Sequence, residues 1–138
     1  MALRSRPVPR CDVSFGLMGA PHISDMTLTM LRTAHAVLDL GGSVGVWTCG
    51  YATMLTHEGL GESKPRKAAE WSREHATALQ LARELIARDP GRVHWYVCRF
   101  CAEERGAGRQ IPEVTVRPPG RFGDHMFAGE KSVLLGLV

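Results

Sequence analysis

An amphipathic helical stripe set between two short apolar runs constrains this chain more than any other feature. Thr27, Met30, Leu31, Ala34, Val37 and Leu38 recur at helical spacing, with Ser24 as an N-cap ahead of them and Gly41 and Gly42 stopping them. Before the stripe Val13, Phe15 and Leu17 alternate as a strand does, and after it Val44, Val46 and Trp47 make a second short strand that ends on Cys49. Strand, helix, strand implies a right-handed crossover and parallel pairing. The rest of the chain continues the alternation. A helix is expected from Lys67 to Arg88, with Trp71, His75, Ala78, Leu79, Ala82, Leu85 and Ile86 on one face, and Pro90-Gly91 ends it. Val93, Trp95 and Val97 then form a third strand, and Val114 and Val116 a fourth that stops before Pro118 and Pro119. A loop or single-turn helix over Gly120–Gly129 leads to a buried fifth strand from Ser132 to Val138. Residues 50–66, with three glycines and Pro65, read as a long loop holding one helical turn around Ala52 to Leu55.

The expected fold is therefore α/β: a three-layer α/β/α sandwich around a mainly parallel five-stranded sheet, Rossmann-like or flavodoxin-like. With 138 residues, 44% of them hydrophobic and 22% charged, the chain suits one compact domain over residues 11–138. Residues 1–10 read as a flexible arm, since Pro7 and Pro9 interrupt them and they lack apolar periodicity. That arm carries Arg4, Arg6 and Arg10 without an acid, which matches the whole net charge of +3. Elsewhere basic and acidic residues are interspersed, so no nucleic-acid partner is expected. No apolar run approaches the ~18 residues of a membrane span, and the N-terminus has no secretory core, so no membrane partner and a cytoplasmic location are expected. Four cysteines in a reducing compartment point to thiol or metal chemistry rather than a disulfide framework.

The chemistry concentrates between Val93 and Gly106. Here a buried strand delivers Cys98 and Cys101 to the start of a helix, favoured by Ala102, Glu103, Glu104 and Arg105 and closed by Gly106 and Gly108. A thiol at such a junction meets unpaired backbone N–H groups and the positive end of the helix dipole, which favours its thiolate. In a parallel sheet, ligands collect at the carboxyl ends of the strands. That edge gathers Cys49, Cys98, Cys101, the Gly19–Ser24 loop with His22, and the Asp124–His125 segment if a strand precedes it, whereas Cys11 starts its strand and belongs at the opposite end.

Three chemistries could use the pair. Persulfide transfer needs one accessible, nucleophilic thiolate, for which Cys98 is the candidate, with Cys101 as a resolving thiol. Arg99 and Arg105 would support it electrostatically, with His22 and Cys49 nearby. A zinc or small-ligand module would draw on Cys98, Cys101, Cys49 and His125, because zinc asks for four ligands and no second close Cys or His pair exists. A thiol-disulfide redox protein is the third, although a thioredoxin motif follows the first strand of its fold and not the third. The first reading needs no cofactor, the second zinc.

The run Val97, Cys98, Arg99, Phe100, Cys101, Ala102, Glu103, Glu104, Arg105, Gly106 resembles the active segment of the DsrE/TusD (DsrE/DsrF-like) sulfur-relay family. Gly19 to Ser24 is similar to that family's first loop, and Asp124 to Val138 to its closing helix and strand. The resemblance implies a DsrE-like sandwich, a sulfur-accepting cysteine at Cys98 and sulfurtransferase activity between sulfur-donor and sulfur-acceptor proteins. It also implies a homo-oligomer, a trimer or hexamer.

Overall fold

The computed structural model describes residues 6–21, 25–59, 66–67, 70–74 and 76–136. Five strands form one sheet: β1 (Cys11–Leu17), β2 (Val44–Thr48), β5 (Val93–Cys98), β6 (Thr115–Arg117) and β7 (Gly129–Leu135). They lie in the order β6-β5-β2-β1-β7, and every pairing between them is parallel. The expected α/β sandwich is the fold of this chain. No helix among the described residues is long and apolar enough to cross a membrane.

The alternation of each strand sorts its side chains between two layers. On one face Phe15, Leu17, Val44, Val46, Trp95 and Val97 pack with Met30, Leu31, Ala34 and Leu38 of α1 (Met26–Asp39) and with Ala82, Leu85 and Ile86 of α2 (Ala78–Arg88). On the other face Trp47, Tyr96 and Cys98 meet Met126 and Phe122 of the short helix α4 (Phe122–Phe127). That second layer leaves Phe127 and Leu134 exposed. Of the expected arm, residues 6–10 lie beside α4, where the Arg121 guanidinium donates to the Arg6 carbonyl and Arg10 donates to that of Phe127.

Three expectations change. The helix drawn from Lys67 begins instead at Ala78, and the chain upstream forms an antiparallel hairpin, β3 (Arg66–Lys67) with β4 (Glu70–Glu74). The reason is a capping box: the Thr77 hydroxyl accepts from the Gln80 N–H at 3.1 Å while the Gln80 amide accepts from the Thr77 N–H at 2.8 Å, which fixes the helix start. Trp71 therefore belongs to β4, and His75 lies outside the described residues, as does Ser24, with α1 starting after Asp25. The helix near the cysteines, α3 (Arg99–Glu104), starts directly after Cys98 and so contains Cys101. The last strand starts at Gly129, three residues earlier than expected, because it pairs with β1 from Cys11 onward. There Gly129 is obligatory: a Cβ would stand 2.5 Å from the Ser14 hydroxyl and 2.7 Å from the Ser14 backbone N.

Candidate functional site: a cluster of three thiols

Strands β2 and β5 are neighbours in register, Thr48 beside Val97, so the residue that follows each pair emerges at the same sheet edge. Those residues are Cys49 and Cys98. Cys101 follows one turn into α3 and faces back toward both. The Cys49 and Cys101 Sγ atoms stand 3.4 Å apart, close enough for one thiol to share its proton with the other. All three sulfurs lie within 4.8 Å of one another. Cys98 has no exposed surface, sealed in the layer with Trp47, Tyr96 and Met126, whereas Cys49 and Cys101 are half-buried at the rim.

The loops that follow Cys49 and α3 run side by side, and one side chain stitches them together. After Cys49 the chain runs into a 3-10 segment, Gly50–Thr56; after α3 it crosses Ala107 to Gln110. The Gln110 amide nitrogen donates to the Thr53 carbonyl at 2.8 Å and the Ala107 carbonyl at 2.7 Å, while its oxygen accepts from the Thr56 hydroxyl at 2.5 Å. Backbone bonds from Ile111 to Thr56 and from Glu58 to Arg109 extend the seam. Nothing about a lone glutamine in a loop marks it in sequence, and Gln110 was not among the expected site residues.

The three thiols differ in acidity because their surroundings differ. Burial pushes Cys98 up to about 12, and the Cys101 N–H, which favours the thiolate, offsets only part of that. Burial also raises Cys49, and the proton shared with Cys101 adds to the rise. Burial alone would raise Cys101 too, but the Gly50 N–H, the Cys49 and Cys98 thiols and the Arg105 charge together hold it below the ordinary thiol value. Gly50 can aim its N–H this way because it adopts φ +59°, a left-handed conformation that costs other residues about 1–2 kcal/mol. The accessible thiol that favours its anion is therefore Cys101, whereas the strand residue Cys98, expected to be the accessible nucleophile, is enclosed and held protonated.

The other candidates fall in different places. Arg105 donates to the Cys101 carbonyl at 3.4 Å and to Glu104 at 2.9 Å, with its guanidinium carbon 4.6 Å from the centre of the Tyr51 ring. Arg99 is exposed on α3. His22 lies outside the described residues. His125 is not brought to the thiols: it is buried within α4, its ring 4.0 Å from that of Tyr96 and 5.0 Å from that of Trp47. Burial, aided by the Arg117 and Arg121 charges, lowers it to about 4. Cys11 starts β1 at the far end of the sheet, 3.3 Å from the Ser14 hydroxyl. Among the described residues, the group able to hold a metal ion thus comprises Cys49, Cys98 and Cys101 without the expected histidine. Such a donor set suits a thiophilic ion and leaves a tetrahedral zinc one ligand short.

The architecture is a DsrE-like α/β sandwich in fold, and three cysteines gather at its carboxyl edge. No protein-family model matches the chain, and no curated protein matches its sequence. Among solved structures it is similar to the YchN protein from E. coli, with a TM-score of 0.71 at 17% identity, covering 90% of this chain and 98% of that one. At that identity the likeness speaks for the fold alone.

Proposed function

We propose that this protein is a sulfur carrier, a sulfurtransferase that accepts a sulfane sulfur on Cys101. The observation that carries the reading is the state of that thiol: half-exposed, biased toward its anion and in contact with a second thiol. The Cys101 thiolate attacks the outer sulfur of a donor persulfide, releases the donor thiolate and holds the sulfur as Cys101-S-SH. Arg105 stabilises the anion. Donor and acceptor proteins bring and collect the sulfur in a reducing compartment, the cytoplasm, which keeps the four cysteines as thiols. Assembly into a homo-oligomer, trimer or hexamer, belongs to the same reading, and sedimentation as a monomer at micromolar concentration would remove it.

Intact mass tests the carrier role after the reduced protein meets a persulfide donor. A gain of about 32 Da, one sulfur, that Cys101→Ser abolishes supports it. A gain that only Cys98→Ser abolishes returns the role to the strand residue. No gain in a protein whose Cys101 alkylates freely sinks sulfur transfer. A second reading, a zinc module, draws on the three sulfurs within 4.8 Å. Cys49, Cys98 and Cys101 would hold the ion and a fourth ligand would come from outside the cluster. Zinc that copurifies in equal amount with the chain and is lost in Cys49→Ser would favour it over the carrier.

A further inference from the structure

The contact between the two rim thiols gives the site an exit route for the sulfur. From the 3.4 Å separation of the Cys49 and Cys101 sulfurs, we infer that Cys49 is a built-in resolving thiol, so that the site converts bound sulfane sulfur to hydrogen sulfide. The inference rests on Cys101 as the sulfur acceptor and adds the fate of the sulfur. In the step, the Cys49 sulfur attacks the Cys101 Sγ of Cys101-S-SH. A Cys49–Cys101 disulfide bond forms and the bond from Cys101 Sγ to the outer sulfur breaks. The outer sulfur takes the bonding electron pair and, with the Cys49 proton, leaves as hydrogen sulfide. The two cysteine sulfurs are together oxidised by two electrons, and the sulfane sulfur is reduced by two. An external dithiol then reduces the disulfide and resets the site.

Geometry favours Cys49 over Cys98 as the resolving group. Reacting atoms about 3–3.5 Å apart are already at attack distance, and the Cys49 and Cys101 sulfurs meet that condition on separate elements of the sheet edge. Cys98 shares the short segment with Cys101 but has no exposed surface and lies in the buried cluster with Trp47, Tyr96 and Met126. Both rim thiols are half-buried, so the departing hydrogen sulfide has a path to solvent. The Gln110 side chain joins the segments that follow Cys49 and Cys101 through three hydrogen bonds, with Thr53 and Thr56 on one side and Ala107 on the other.

The test is a single turnover. Reduced protein, freed of small thiols by gel filtration, is mixed without oxygen with an equal amount of glutathione persulfide. Released sulfide is trapped with monobromobimane, and the chain is mapped by peptide mass after alkylation. The expected result is close to one hydrogen sulfide per wild-type chain and a Cys49–Cys101 linkage. Cys49→Ser and Cys49→Ala should still load sulfur on Cys101 yet retain it, with sulfide release from the loaded chain at least tenfold slower; loading also shows that these variants are folded. A wild-type persulfide that persists as long as that of Cys49→Ser overturns the inference and leaves the carrier role standing. So does a linkage mapped to Cys98 and Cys101. Absence of persulfide on Cys101 in the wild type and in both variants overturns the carrier role and the inference with it.

Discussion

Solvent access and acidity divide the cysteines residue by residue. Iodoacetamide at neutral pH should label Cys101 first, Cys49 later and Cys98 only after denaturation, read by peptide mass, because alkylation needs an exposed thiolate. Early labelling of Cys98 would contradict its enclosure. His125 leaves a signature in stability. Its folded pKa of about 4 lies below the ordinary 6.5, the shift arising from burial and then from Arg117 and Arg121, with Asp124 opposing. Between these values the unfolded chain binds the extra proton. Stability from neutral His125 is therefore complete above pH 6.5, falls as the pH drops toward 4 and levels off below, a loss of roughly 3 kcal/mol at about 1.4 kcal/mol per pKa unit. Urea titrations across that window should show the slope, and His125→Phe should flatten it. An unchanged slope in that variant would place the proton elsewhere.

At the scale of elements, the thiol geometry depends on how two loops are joined. Gln110→Ala removes the partner of the Thr53 and Ala107 carbonyls and of the Thr56 hydroxyl, a loss of about 1–3 kcal/mol. The same change should slow formation of a Cys49–Cys101 disulfide in a glutathione redox buffer, measured by gel shift after thiol blocking; an unaltered rate would show that the loops hold their spacing without the seam. Much of this edge was legible in advance. Two parallel strands that each deliver a cysteine at the carboxyl end must bring those cysteines together once they are neighbours, and the periodicities of Val13–Leu17, Thr27–Leu38 and Val93–Val97 predict elements that form. The helix drawn through Lys67 went wrong because an apolar stripe from Trp71 to Ile86 ignores where backbone donors are satisfied, although Thr77 and Gln80 carry a readable capping box. The burial of Cys98 was not legible. Cys98 falls in one buried cluster with Trp47, Tyr96 and Met126, and no local pattern around Cys98 encodes a layer that is completed by a helix more than twenty residues away. For the same reason His125 was expected among the ligands and instead fills the second layer.

Across the whole molecule the two sheet faces are unequal: α1 and α2 cover one fully, and the short α4 covers the other in part. The thin layer depends on close backbone approach between β1 and β7, so Gly129→Ala, which drives a Cβ into Ser14, should cost about 1–3 kcal/mol and lower the melting temperature by several degrees. A wild-type melting curve in that variant would mean the strands separate without penalty. The rim thiols lie 52 positions apart, with the hairpin, α2 and β5 between them. Closing that interval covalently would remove much of the freedom of the unfolded chain, worth about 4 kcal/mol by loop entropy. The oxidised chain should accordingly melt at a higher temperature than the reduced one, by an amount that Cys49→Ser erases. Heat resistance would then record each sulfur discharged, a thermometer for the spent state of the site.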